Sequence, residues 1–188
     1  MLAAARDLFD EVGYEAATIR AVALRAGVAV GSVFTSFTGK AELLSQVMQD
    51  RLQALYAELE QVAPHLRGPT VDRLRSIMAV HYSFENRRLR LFVAYIGASF
   101  FWEVGQGVVP IGRNDRLKMV LLEILTRGVE RGEVRPDADL TVFVDTILAA
   151  YVWNYRLAPQ DGADASAMIA AMDRQMGLLF EGVAVRPN

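Results

Sequence analysis

The chain has 188 residues, a formal net charge of −2, 53% hydrophobic residues and no cysteine. This size and apolar content suffice for a small head and one larger core, and the lack of cysteine excludes disulfides, thiolate metal sites and cysteine nucleophiles. No charged-then-apolar leader opens the chain, and its longest uncharged run, Leu91–Trp102, is too short to span a bilayer, so we expect a soluble cytoplasmic protein.

The first predicted helix begins near the N-terminus and ends at Gly13. Glycine can stop a helix because it accepts backbone conformations that other residues avoid. Before it, apolar residues recur at helical spacing along one stripe: Leu2, Ala5, Leu8, Phe9 and Val12.

Residues 18–40 predict two short helices joined by a tight turn. Thr18 can cap the first helix through its hydroxyl group, and Gly27 can end it in the left-handed conformation. The inner face of the first helix carries Ile19, Val22, Ala23 and Ala26, and that of the second Val33 and Phe37. The second helix leaves short polar residues outside, namely Ser32, Thr35 and Ser36. Such a helix fits the DNA major groove, so the segment predicts a helix-turn-helix motif.

Four consecutive segments, LFDEVGYEAAT, IRAVALRAGVAVGSVF, SF and GKAELL, resemble the DNA-binding region of the TetR family of transcriptional regulators. The resemblance implies an all-α fold with a three-helix helix-turn-helix head over residues 1–45. It also implies a larger C-terminal domain for effector binding and dimerisation over residues 46–188. A homodimer of this kind binds a palindromic operator in double-stranded DNA, acts as a repressor and is released by a small molecule.

The resemblance and the outer face of the motif together indicate which residues contact DNA. We expect Ser32 and Thr35 to approach base edges, and Val30 to meet a thymine methyl group. Phe34 stands where the family usually has a tyrosine that reaches a phosphate. The full predicted DNA-binding set is Thr18, Arg20, Val30, Ser32, Phe34, Thr35 and Lys40, of which Thr18, Arg20 and Lys40 hold phosphates.

The charge of the head keeps an alternative open. Within residues 1–45, four basic side chains oppose five acidic ones, which leaves a net charge of −1. DNA-binding surfaces are usually positive because they must approach phosphates. The alternative is therefore a ligand-sensing or scaffold dimer whose helix-turn-helix head has lost DNA binding.

Beyond the head, the pattern predicts helices almost throughout and no strands. Proline and glycine mark the breaks between them. The predicted helices cover residues 40–62, 71–85, 88–104, 113–131, 139–157 and 164–182. Together with the head they make an all-α protein of about nine helices.

The helix predicted over residues 139–157 is apolar nearly all round, which indicates burial on two sides. A central helix in a monomeric bundle is one explanation, but a dimer interface fits better because small residues let a second helix approach closely. Methionines recur along the last helix and suit an irregular interface. The predicted dimer interface comprises Leu148, Ala149, Val152, Met168, Met172 and Met176.

Aromatic residues concentrate in the middle of the chain and favour a mostly apolar effector cavity. Asp145 is a polar residue on an apolar helix and suits either a subunit contact or the pocket. The predicted ligand-binding residues are His81, Phe84, Tyr95, Trp102, Tyr151 and Asn154. The ring-rich surroundings favour an aromatic, fatty-acyl or drug-like ligand.

An enzyme is the competing class, and the sequence offers little for it. The two histidines, His65 and His81, lack a metal-ligand spacing, and the chain has no glycine-rich phosphate loop and no nucleophile elbow. We expect no catalytic residues, no cofactor and no metal site.

Overall fold

The computed structural model describes residues 1–103, 107–113, 115–158, 162 and 164–185. Within these residues the fold is all-α, and the only β-type contact is an isolated antiparallel bridge between Val134 and Ala184. Nine α-helices have bounds within the described residues and are numbered here α1 to α9: Leu2–Val12, Ile19–Ala26, Val30–Ser36, Lys40–Val62, Thr70–Asn86, Leu89–Ser99, Asp115–Glu130, Leu140–Asn154 and Ala165–Glu181. The predicted fold class is confirmed.

No single helix among the described residues combines the length and hydropathy needed to cross a membrane. The bent pair α2 and α3 reaches those limits only when its two helices are taken together.

The chain forms two compact units, and the first comprises Met1–Ala54 and Arg87–Asn114. It contains α1, α2, α3, residues 40–54 of α4, and α6. Helix α1 packs against α2 and α6, and Arg88 links α6 to α1 through Asp7 at 3.1 Å and Asp10 at 2.9 Å. The head predicted over residues 1–45 lies within this unit.

The second unit comprises Leu55–Asn86 and Asp115–Asn188. Helix α5 packs against α7 and α9, and α8 packs against both of those helices. Aspartates cap α8 and α9 in the usual way: Asp139 accepts from the Val142 amide and Asp164 from the Ala167 amide, each at 3.0 Å.

Glu133 ties the start of α5 to the turn after α7. Its carboxylate accepts the Thr70 amide at 2.5 Å and the Arg131 guanidinium at 2.6 Å. Burial acts to raise the pKa of Glu133, but the Arg131 and Thr70 donors hold that pKa down to about 2. The carboxylate is therefore charged at neutral pH.

Two predicted helix ends are wrong. Helix α6 ends at Ser99 rather than at 104, because the amides of Phe101 and Trp102 bond three residues back, to Ala98 and Ser99. Residue 104 itself lies outside the described residues. Helix α8 ends at Asn154 rather than at 157, again in a tighter turn.

Candidate nucleic-acid interface

Helices α2 and α3 cross at 107°, which is the geometry of a helix-turn-helix. The Thr18 hydroxyl oxygen accepts the Ala21 amide at 3.1 Å and caps α2. Gly27 ends α2 with φ of 68°, a left-handed conformation that favours glycine. Val33 is fully buried and anchors α3 to the head. These local features agree with the motif predicted from the sequence.

The outer face of α3 is exposed to solvent. It carries Val30, Gly31, Ser32, Phe34, Thr35 and Ser36, whereas Phe37 is half-buried. Ala29 precedes the helix and makes no capping bond through its side chain. The exposed face is therefore small, only partly polar and free to meet a ligand surface.

Most basic side chains of residues 1–45 are already engaged. Arg6 pairs with Asp7 at 3.1 Å, and Arg25 pairs with Glu11 at 2.6 Å. The hydrogen bond from Arg25 lowers the pKa of Glu11. Among the described residues, Arg20 has the one basic side chain of this segment without a hydrogen bond or ion pair, and it is exposed.

Lys40 occupies a different position from the one predicted. Its ammonium group donates to the backbone carbonyls of Tyr14 at 2.8 Å, Glu15 at 3.2 Å and Ala17 at 3.3 Å. It also lies 4.4 Å from the centre of the Tyr14 ring. Because an ammonium has three protons and three carbonyls take them, Lys40 fastens α4 to the turn after α1 instead of pointing at a phosphate.

This geometry makes Lys40 a stability determinant of the head. We expect Lys40→Ala to lower the free energy of unfolding by about 1–3 kcal/mol, because the partly buried carbonyls of Tyr14 and Ala17 and the exposed carbonyl of Glu15 lose their donor. Urea denaturation followed by circular dichroism measures the change. Arg20→Ala is the matched control and should leave stability nearly unaltered. Equal stability of the Lys40→Ala variant and the wild type would contradict this role.

The predicted ligand-binding residues fall into both compact units. Tyr95 and Trp102 belong to the first, where their ring centres are 5.7 Å apart and the Tyr95 hydroxyl donates to the Val109 carbonyl at 2.8 Å. Phe84 belongs to the second unit and is half-buried.

In the second unit, His81, Tyr151 and Asn154 are buried and part of one polar network. Tyr151 Oη lies 2.5 Å from His81 Nδ1 and 2.9 Å from the Tyr155 hydroxyl. Asn154 donates to the Tyr82 hydroxyl at 3.2 Å and exchanges two hydrogen bonds with Gln175, at 2.7 and 3.0 Å. Sequence reasoning missed Tyr82, Tyr155 and Gln175, although the i, i+4 spacing of Tyr151 and Tyr155 on an apolar helix is a detectable signal.

Burial controls the protonation of this network. It lowers the pKa of His81 to about 3, so the imidazole is neutral at physiological pH. Burial also raises the pKa of Tyr82, Tyr151 and Tyr155, so their hydroxyl groups stay protonated. The groups joined by these hydrogen bonds are neutral, and the buried carboxylate of Glu85 lies near enough to help raise the pKa of Tyr151 and Tyr155.

An exposed apolar face covers one side of the second unit. Trp153 is 61% and Leu178 72% exposed, which is unusual for side chains of this size. Between them runs a shallow groove lined by Thr146, Ala149, Ala150, Trp153, Gln175, Leu178 and Leu179. We call this surface of α8 and α9 the dimer face, after the interface predicted for these helices.

The predicted interface residues divide between this face and the interior. Ala149 is exposed and lines the groove, and Leu148 and Val152 are half-buried. The three methionines predicted for the dimer interface are instead fully buried within the protomer: Met168, Met172 and Met176. They face inward because α9 packs against α5 and α8 on that side. Asp145, predicted for either a subunit contact or the pocket, pairs with Lys118 at 2.7 Å near the surface.

A helix-turn-helix in an all-α chain with a second helical unit is an arrangement found in DNA-binding transcriptional regulators. The family model of bacterial regulatory proteins, tetR family, matches residues 1–47. Over these residues the chain is similar to the TetR family of transcriptional regulators.

Known proteins extend the likeness beyond the head. The chain is 26% identical over 140 residues to the HTH-type transcriptional repressor KstR2 of Mycolicibacterium smegmatis, covering 74% of this chain and 68% of that protein. The structure of Thermus thermophilus FadR with lauroyl-CoA has a TM-score of 0.76 and 22% identity, over 100% of this chain and 95% of that one. Bacillus subtilis FadR with stearoyl-CoA has a TM-score of 0.76 and 19% identity, over 97% of each chain. The two structural likenesses show the fold.

Proposed function

We propose that the protein is a homodimeric repressor that binds a palindromic operator in double-stranded DNA and leaves it when a mostly apolar small molecule binds. The observation that carries the proposal is the way α3 is held in the head. Val33 anchors α3 from behind, and the opposite face of that helix is open to solvent. A dimer of such heads reads two half-sites about 34–36 Å apart, which is one turn of DNA.

The exposed residues take separate parts in this proposal. Val30, Ser32 and Thr35 approach base edges in the major groove. Phe34 approaches them as well, because it lacks the hydroxyl group that a tyrosine would offer to a phosphate. Thr18 and Arg20 hold phosphates: Thr18 uses its oxygen as a cap and keeps its proton for a phosphate, and Arg20 is exposed and without an internal partner. Lys40 supports the motif from within. The protein would act in the cytoplasm, where its operator lies.

The effector we propose has a long apolar portion. Buried neutral polar groups, such as Tyr151 and His81, suit a ligand with few charges better than a densely charged metabolite. The two FadR structures hold lauroyl-CoA and stearoyl-CoA, so an acyl thioester is the first ligand to test. Release follows if the ligand binds the DNA-free form more tightly, typically by about 1–3 kcal/mol.

Selection of bound fragments from random-sequence DNA tests the operator. We expect the selected fragments to share a palindrome whose two half-sites lie one helical turn apart. The selected duplex is then titrated with protein in the presence of lauroyl-CoA, coenzyme A or lauric acid. Release by lauroyl-CoA alone supports an acyl thioester, release by lauric acid as well supports any apolar chain, and release by none of the three contradicts the proposed effector.

The second candidate is the dimer without DNA binding. It is favoured by the single unengaged basic side chain in residues 1–45 and the net charge of −1 there. It predicts that selection enriches no sequence above background. A reproducible enriched palindrome would exclude it.

Arg20→Ala tests the phosphate contact directly. In a dimer it removes two contacts, so the slope of log affinity against log salt should become shallower by about 1.8. Affinity should fall for all DNA sequences alike, because a phosphate contact carries no base information. Fluorescence anisotropy over a series of salt concentrations measures the slope. An unchanged slope would show that Arg20 does not face the backbone of DNA.

A further inference from the structure

The outer face of α3 has an unusual chemical character for a helix that reads DNA. Its two largest side chains are apolar, and both are open to solvent: Phe34 is 55% and Val30 38% exposed. Neither can donate or accept a hydrogen bond. The side chains that extend furthest from the outer face of α3 are therefore hydrocarbon.

The hydroxyl groups beside them are partly occupied. Thr35 Oγ1 donates to the Gly31 carbonyl at 2.9 Å, and Ser36 Oγ donates to the Ser32 carbonyl at 3.2 Å. A hydroxyl group has only one proton. These two groups thus present lone pairs, which accept from adenine N6 or cytosine N4 but cannot donate to guanine O6 or N7.

Charge adds little to base recognition at this surface. Arg20 has the unengaged basic side chain of residues 1–45 among the described residues, and it lies on α2 rather than on α3. No arginine, lysine, asparagine or glutamine occurs within α3. The usual bidentate contacts to guanine and adenine are therefore not available from this helix.

We propose that Val30 and Phe34 are the specificity-determining residues and that they select thymine through its C5 methyl group. This rests on the proposed function, since it concerns the same face of the same helix. The thymine methyl is the one apolar group that a base pair presents in the major groove. When the methyl group packs against Phe34 or Val30, both the methyl group and the side chain lose contact with water. This favours a thymine over any other base at that position.

The experiment uses the full-length protein and the duplex obtained by selection. Thymines of the two half-sites are replaced by uracil, which lacks only the methyl group. Each lost contact should weaken binding about fourfold, and symmetric replacement in both half-sites about fifteenfold. Uracil placed in the spacer between the half-sites is the DNA control and should change affinity less than twofold.

Protein variants assign the effect to residues. With Val30→Ala combined with Phe34→Ala, the thymine and uracil duplexes should bind equally well, at a reduced affinity. Met119→Ala, which truncates an exposed apolar side chain on α7, should keep the full uracil sensitivity. A circular dichroism melt confirms that each variant is folded.

Each remaining outcome decides against the inference in a distinct way. Failure of selection to yield any site removes the proposed function and this inference with it. A selected site that tolerates uracil, or that lacks thymine in its half-sites, overturns methyl recognition while DNA binding stands. Uracil sensitivity that persists in the double variant overturns the assignment to Val30 and Phe34.

Discussion

Placing a glutamate on the dimer face should convert the protein to monomers and weaken operator binding by about 10²- to 10⁴-fold. In Ala149→Glu, two like charges would meet across the two-fold axis in partly desolvated surroundings, which is strongly unfavourable. The protomer itself should stay folded, because Ala149 is exposed and its side chain fills no core. Operator affinity falls because a dimer binds its second half-site as an intramolecular step, and a monomer loses that advantage.

Sedimentation velocity at micromolar concentration measures the oligomeric state, and anisotropy with the selected duplex measures affinity. Met119→Glu is the matched control, since Met119 is 63% exposed on α7 and does not line the groove. It should leave both measurements unchanged. A wild-type protein that sediments as a monomer would remove the basis of the dimer face.

The head was largely predictable because its signals are local. An apolar face at i, i+3 and i+4 spacing, a capping threonine and a helix-ending glycine each act within a few residues of the chain. Val22, Ala23 and Val33 are buried as expected, and Thr18 and Gly27 cap α2 as expected. The sequence pattern therefore specified the elements of the motif before any contact was known.

Two features of the proposed sites depend on contacts between distant segments and could not be predicted in the same way. The ammonium of Lys40 is held by carbonyls 23 to 26 residues away, and nothing near Lys40 in the sequence encodes that turn's position. Periodicity shows that Met168, Met172 and Met176 share one buried face, but it does not say whether the cover is the same chain or a partner. In this structure other helices of the same chain bury the three methionines, and Leu178 lies on the opposite, exposed face of α9.

The buried network likewise combines a local signal with a distant one. Tyr151 and Tyr155 lie one helical turn apart, and that much is visible in the sequence. His81 comes from α5, and its 2.5 Å approach to Tyr151 joins residues 70 positions apart. This contact explains why a histidine is tolerated in the interior, and it makes the protein's stability depend on pH.

Acidification from pH 6.5 to pH 5 should lower the free energy of unfolding by about 2 kcal/mol through His81 alone. The folded protein holds the pKa of His81 at about 3, below the ordinary value of 6.5. The unfolded chain therefore binds a proton in this window while the folded protein does not. A depressed folded pKa means that the contribution is complete above pH 6.5 and is lost as pH falls towards 3, at about 1.4 kcal/mol per pH unit.

His81→Asn is the variant that isolates this effect, because an amide keeps a hydrogen-bonding group near Tyr151 and does not titrate. It should be less stable than the wild type at pH 7 and lose much less stability between pH 6.5 and pH 5. Urea unfolding at intervals of half a pH unit gives both curves. The comparison stays above pH 4.5, since below that value Glu133, with its pKa of about 2, adds its own loss. Parallel curves for the two proteins would mean that His81 is not held neutral by its burial beside Tyr151.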